Sequence, residues 1–271
     1  MAPVIVRVLP FIEADAATQM AIDETLLDMR ARSASLPTVR LYRFSPPALS
    51  VGRFQVLDDQ TVQAAWRRGL DVVRRPTGGR AVIHADEITY AFVFAVDDGI
   101  PRGIRASYGM FATILARLLA EAGVSIALED ESRPSIPPRE ATCFTAHIGG
   151  DLPLDGKKLV GSAQVWRGRT VLQHGSIVIS QPHALHEAVF GPSAARAIAR
   201  CATSIVEAGF APPPITKMEQ ALRAALAACG FRPVSAPLSN AEVARVAARS
   251  ASYRDFTPHP KRHARAGTST L

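Results

Sequence analysis

No stretch of the chain stays apolar for the roughly 20 residues that a membrane-spanning helix needs. The first residues also lack the basic, apolar, small-residue order of a secretory signal. Cysteine is scarce: Cys143, Cys201 and Cys229 are the three in 271 residues, too few and too scattered for a disulfide framework. These absences lead to the expectation of a reduced, cytoplasmic protein with no membrane partner. No internal repeat is present, and neither is a helix-turn-helix or a basic-aromatic module of the kind that reads nucleic acid. The charge balance is nonetheless basic, 31 Lys and Arg against 24 Asp and Glu, a formal +7. Because it is spread along the chain, it points to an acidic partner and not by itself to nucleic acid. Hydrophobic residues make up 48% and charged residues 20%, which supplies a core and excludes disorder.

Periodicity divides the chain into strands and helices. Alternation predicts strands at 3–9, 39–44, 48–54, 71–75, 80–84, 87–96 and 124–128, and a hairpin of 157–166 with 170–180 around Gly168. Helical spacing predicts helices at 16–32, with acids early and arginines late, at 58–68, at 104–122 ended by Gly123, from 183 onward, and at 215–228. Residues 129–141, with three prolines, form a loop long enough to suspect of function. Pro212, Pro213 and Pro214 mark a linker. The expected organisation is a catalytic domain over 1–210, a helical extension over 211–250 and a flexible basic tail over 251–271. Strands and helices come in blocks, which predicts an α+β fold with mixed or mostly antiparallel sheets flanked by helices.

Three segments carry chemistry. In the first, Arg74-Arg75-Pro76-Thr77-Gly78-Gly79-Arg80-Ala81, paired glycines let backbone approach a ligand while arginines offer planar charged donors. The competing reading is a plain hairpin turn with solvated arginines. In the second, Cys143 lies in a polar, loop-like setting, unlike Cys201 and Cys229, which sit in alanine-rich helical surroundings as small hydrophobes. A thiolate there needs a nearby cation; with His147 and His174, Cys143 is alternatively a metal ligand, although no second ligand pair follows. In the third, Lys157 and Lys158 enter an apolar strand, so one of them points to the face turned from solvent. A desolvated ammonium stabilises a thiolate or an oxyanion; the plain alternative is a snorkelling lysine.

Together these segments resemble the lipoate-protein ligase and octanoyltransferase superfamily, whose fold is shared with biotin protein ligase. The likeness is carried by residues 41–55 (LYRFSPPALSVGRFQ), 73–90 (VRRPTGGRAVIHADEITY) and 157–176 (KKLVGSAQVWRGRTVLQHGS), and it spans most of 38–180. Within it, the branch of octanoyl-carrier:protein transferases with a cysteine upstream of the lysine strand is the most similar, although residues 145–150 (TAHIGG) depart from its pattern.

The resemblance implies a biotin/lipoate protein ligase-like catalytic fold and a two-step transfer. Octanoyl-acyl carrier protein is the expected donor, Cys143 the acyl-thioester nucleophile, and Lys158 the group that lowers its pKa and meets the acyl carbonyl. The acceptor is a lysine of a lipoyl-type carrier, either a glycine cleavage H protein or a dehydrogenase E2 domain. Arg75, Gly78, Gly79, Arg80, Ala81, His84, Gly161, Ser162, Gln164, His174 and Gly175 are expected around the substrate. His84 and His174 are either positioning or proton-transfer groups or hydrogen-bonded core histidines. No cofactor or metal is expected, and a monomer is the default. ATP with magnesium enters only if the chain is instead an ATP-dependent lipoate or octanoate ligase; an amidotransferase between carriers is a further alternative. A non-catalytic acyl-binding protein is the rival from another class.

Overall fold

The computed structural model describes residues 2–126 and 152–258; Cys143, His147 and the 129–141 loop lie outside the described residues. The chain opens with β1 (Val4–Val8), β2 (Ile12–Ala14) and α1 (Ala16–Ala31). Next come β3 (Thr38–Phe44), β4 (Ala48–Val51), α2 (Asp59–Arg67), β5 (Asp71–Arg74), β6 (Val82–His84), β7 (Glu87–Ala95) and α3 (Ile104–Ala122). The second stretch holds β8 (Leu152–Leu154), β9 (Lys157–Arg167), β10 (Thr170–Val178), α4 (His183–Cys201), α5 (Ile215–Ala228), β11 (Phe231–Ser235) and α6 (Asn240–Arg254).

Local chemistry explains the helix boundaries. Asp15 caps α1, its Oδ1 accepting from the Thr18 amide at 2.6 Å, and Asp58 caps α2 through Thr61 at 2.7 Å; each satisfies an amide that the helix leaves unpaired. The acid expected early in α1 is this cap, since the first turn itself carries none. Gly123 closes α3 at φ +95°. Ser239 and Glu242 form a reciprocal capping box at the start of α6.

The strands form an eight-stranded mixed sheet in the order β11-β1-β3-β7-β10-β9-β8, with β2 beside β3, and a three-stranded sheet β5-β4-β6. β1 pairs in parallel with β3 and β11, while β3, β7, β10 and β9 alternate antiparallel. Every residue of β7 is buried, the mark of a strand covered on both faces. One face, with Tyr90, Phe92 and Phe94, meets Phe111 and Leu115 of α3. The other, with Ala91 and Val93, meets Met20 and Leu27 of α1. The small sheet packs a separate cluster of Leu49, Val51, Ala81 and Ile83 beneath α2. The fold is therefore the α+β arrangement expected, with helices over both faces of the main sheet.

Several differences from the sequence reading have physical causes. Residues 124–126 carry no strand; Val124 instead buries itself immediately after the α3 cap. α4 is broken at Gly191, whose φ is +82°, where Pro192 follows. The segment 211–254 contains the predicted α5 and also α6, with β11 between them, so residues 251–254, expected to begin a flexible tail, are helical. Met218, Leu222 and Leu226 of α5 enter the main core, and β11 forms the edge beside β1, with Val4 facing Phe231. β11 contains Pro233, which an edge strand tolerates.

α6 is held across the fold by charge. Glu242, 1% exposed, accepts from both terminal nitrogens of Arg7 on β1, at 2.8 and 2.6 Å. Arg249 and Arg167 meet Asp28 and Glu24 of α1, and Tyr253 donates to Glu24 at 2.7 Å. Glu242→Ala strands a buried guanidinium, so urea unfolding is expected to show a loss of about 3–5 kcal/mol. Replacing both partners with apolar residues (Arg7→Met with Glu242→Leu) is expected to recover most of it.

Candidate active site

The two sheets face each other across a narrow, mostly apolar cavity. The small sheet contributes Ser50, Val82 and His84, the turn after β5 contributes Arg75, and the main sheet contributes Thr89, Gly161, Ala163, His174 and Ser176. Met20 of α1 and Tyr42 and Phe44 of β3 supply apolar wall, and Lys158, Ser162 and Gly175 complete the lining.

Lys158, the second residue of β9, is 1% exposed, whereas Lys157 before it faces solvent. Strand alternation requires one inward lysine, and the structure puts Lys158 in that place. An ammonium with so little water around it acts on neighbouring atoms far more strongly than a surface charge. Across the hairpin, Ser162 faces Gly175, and the Ser162 and Tyr90 hydroxyls share a 2.6 Å hydrogen bond. A Cβ at Gly175 would lie 2.0 Å from the Gly161 carbonyl oxygen and 2.8 Å from the Tyr90 hydroxyl; that closeness is what requires glycine there.

Two histidines border the cavity, each within a buried network. His174 Nδ1 lies 2.7 Å from Asp23 Oδ2, and its Nε2 lies 2.6 Å from Thr77 Oγ1. Asp23 also accepts from Arg40 at 2.9 and 2.6 Å and from the Tyr42 hydroxyl at 3.1 Å. Burial pushes the Asp23 carboxyl upward, but the Arg40 charge and the His174 contact reverse this and leave it below the ordinary value. Burial holds the His174 imidazole below its ordinary pKa, against the pull of Asp23. His174 is therefore neutral, donates from Nδ1 to Asp23 and accepts at Nε2 from Thr77. With both nitrogens engaged it is not placed to ligate a metal, and no group of three potential ligands converges among the described residues.

His84 belongs to the second network. Its Nε2 lies 2.7 Å from Ser50 Oγ and its Nδ1 2.6 Å from Glu87 Oε1. Thr89 and Ser176 donate to the same carboxylate oxygen at 2.7 and 2.9 Å, and the Phe44 ring lies 4.3 Å from the imidazole, centroid to centroid.

The Gly-Gly turn is fastened by its own arginine. Arg75 donates to the carbonyls of Gly78 (2.7 and 3.2 Å) and Arg80 (2.8 Å), and its Nη1 reaches the Ser50 carbonyl and hydroxyl at 3.2 and 3.1 Å. Gly79, at φ +91°, presses its carbonyl against Gly52, where a Cβ would sit 1.8 Å away. Arg74 grips the carbonyls of Gly52 and Gln55 on one side (2.8 and 2.7 Å) and of Thr257 and Pro258 on the other (3.0 and 2.8 Å).

The structure thus gathers Lys158, Arg75, His84, Gly161, Ser162, His174 and Gly175 around one cavity. Others expected beside the substrate stand elsewhere. Ala81 is packed in the core of the small sheet. Gly78 and Arg80 present carbonyls to Arg75, and Gly79 backs onto Gly52. Gln164 is engaged by Ser107, Trp166 and Gln173. Cys201 and Cys229 are half-buried, and burial raises the Cys229 thiol pKa. The sequence reading missed Asp23, Arg40, Thr77, Ser50, Glu87, Thr89 and Ser176. Glu87 was visible three residues after His84 in the same quoted stretch; Asp23 had no signal of its own.

Comparison with known proteins places the chain among similar ones. The description "Lipoyl protein ligase A/B catalytic domain" matches residues 15–229. Octanoyltransferase LipM of Moorella thermoacetica is 43% identical over 169 residues, 61% of this chain and 62% of that enzyme. LipM of Kyrpidia tusciae is 36% identical over 220 residues, 76% of this chain and 80% of that enzyme. The chain thus spans a little under two thirds of the first of these relatives. Among solved structures, a lipoate-protein ligase A bound with ATP superposes with a TM-score of 0.73 at 18% identity, over 96% of this chain and 98% of that one. That likeness is one of fold.

The buried histidines make stability depend on pH. His186, with no hydrogen-bond partner at Nδ1, is pushed by burial down to about 4, and His174 is lowered as well. Above the ordinary histidine value of 6.5 both rings are neutral folded or unfolded. As the pH falls below it, the unfolded chain takes up protons that the fold refuses, and stability declines toward pH 4. The expected slope is up to about 1.4 kcal/mol per pH unit for each proton. Denaturant titrations at pH 7, 6 and 5 measure it, and His186→Gln is expected to flatten it.

Proposed function

Since the chain belongs to the lipoyl protein ligase A/B catalytic-domain family, we propose that it is an octanoyltransferase. In this reading it moves an octanoyl group from acyl carrier protein, through a thioester on Cys143, to a lysine of a lipoyl-type carrier. The observation that carries it is the 36% identity to an octanoyltransferase over 80% of that enzyme's length. The buried Lys158 in the wall of a mostly apolar cavity supports it.

The chemistry follows from the groups involved. The Cys143 thiolate attacks the donor carbonyl; a carbon–sulfur bond forms, and the one to the carrier's thiol breaks. The ε-amine of the acceptor lysine then attacks the acyl-enzyme, forming the amide and returning the sulfur. Lys158 supplies positive field to the thiolate and to the oxyanion of each tetrahedral intermediate. An amide is a more stable acyl derivative than a thioester, so the sequence runs forward without ATP. Acidic carriers suit the surplus of basic residues, which steers encounter more than it adds affinity.

Mass spectrometry of the protein mixed with octanoyl-carrier protein is expected to show an octanoyl group on Cys143, lost on hydroxylamine treatment. Cys143→Ala is expected to abolish transfer to the lipoyl carrier, and Lys158→Met to slow acylation by about 10²–10³-fold. Transfer that needs free octanoate and ATP, with Cys143 dispensable, would overturn the reading in favour of a ligase.

A further inference from the structure

We infer that Ser50, His84 and Glu87 form a second acyl-transfer centre in the same cavity, a hydrolase for medium-chain acyl thioesters and esters that works without Cys143.

The proton arrangement can be worked out atom by atom. The Arg75 guanidinium, which can only donate, lies 3.1 Å from Ser50 Oγ and occupies one of its lone pairs. Glu87, as a carboxylate, can only accept, so the ring nitrogen 2.6 Å from it, Nδ1, carries the proton. In the neutral ring Nε2 is then the acceptor, and the Ser50 hydroxyl donates to it at 2.7 Å. Thr89 and Ser176 hold the same carboxylate oxygen, which fixes Glu87 and, through it, the imidazole. A hydroxyl donating to a neutral imidazole whose far nitrogen donates to a fixed carboxylate is the arrangement that activates a serine nucleophile.

A buried hydroxyl–imidazole–carboxylate chain can also be mere packing, and the second network in this molecule shows the difference. Thr77, His174 and Asp23 have similar distances. Yet Thr77, as buried as Ser50, is absent from the cavity lining, and Arg40 neutralises Asp23. Ser50 and His84 both line the cavity. Arg75 holds Ser50 Oγ in place, and Arg75 and Lys158 both border the space in which the substrate's carbonyl oxygen would become an oxyanion.

The reaction balances with water as the co-reactant. Ser50 Oγ bonds to the acyl carbon as its proton passes to His84 Nε2; the carbon–sulfur bond breaks, and the thiolate takes that proton. Water, deprotonated by His84, then cleaves the serine ester, and carboxylic acid and thiol leave. The centre thus clears acyl groups that meet no acceptor.

The test uses the full-length Cys143→Ala protein, so that its outcome does not depend on the thioester route proposed above. Thiol release from octanoyl-pantetheine and nitrophenol release from p-nitrophenyl octanoate are followed with no acceptor present. Continuing turnover is expected, reduced about 100-fold or more by Ser50→Ala or His84→Gln. Glu87→Gln is expected to lower kcat while leaving KM unchanged, because it acts by holding His84. A fluorophosphonate probe covers the case in which a variant fails to fold: on the Cys143→Ala protein it is expected to label Ser50, as located by peptide mass spectrometry. Hydrolysis no faster than in buffer, hydrolysis indifferent to folded Ser50→Ala, or a probe that leaves Ser50 unmodified would each overturn the proposal.

Discussion

The Asp23 carboxylate is the fixed point of this molecule. It is wholly buried, and three polar side chains converge on it from two strands: Arg40 and Tyr42 from β3 and His174 from β10, with Thr77 beyond the imidazole. A lone carboxylate so placed would be neutralised or expelled. The Arg40 guanidinium, stacked 3.8 Å over the Tyr42 ring, keeps it charged. Through this one anion, α1, the main sheet and the Pro-Thr-Gly-Gly turn are tied together. The space between the two sheets is therefore set by charge pairing, while the apolar clusters fill in around it.

Within that frame the β9–β10 hairpin and the β6–β7 corner divide the polar work. The hairpin brings Lys158 and His174 to the cavity, and the corner brings His84, with Glu87 behind it. Arg75 serves two ends at once, since the guanidinium that closes its own turn also touches Ser50. Arginine can do this because its donors fan out in one plane, whereas a lysine would have to choose.

Much of the fold was legible in the sequence because long elements repeat their pattern: α1, α3 and the β9–β10 hairpin lie within a residue or two of where periodicity puts them. β2 and β8 have three residues each, too few for alternation to register, and Pro233 disguised β11. In the site, glycines, lysines and histidines crowded into short stretches announced themselves. The groups that orient them did not. Asp23 sits in α1 between Ile22 and Glu24, where an acid ordinarily reads as solvent-facing, and only the tertiary fold reveals that an arginine 17 residues away matches it. Ser50 is one small residue in a short strand, and its meaning comes from Arg75 and His84 arriving beside it.

The grip of Arg74 reaches beyond the site. One side chain holds the carbonyls of the Gly52 turn and those of Thr257 and Pro258, while the Phe256 ring packs 5.6 Å from its guanidinium. Residues 256–258 are thereby moored to the Gly52 turn, against which the Gly79 carbonyl packs. That turn's shape thus depends on a segment more than 180 residues further along the chain.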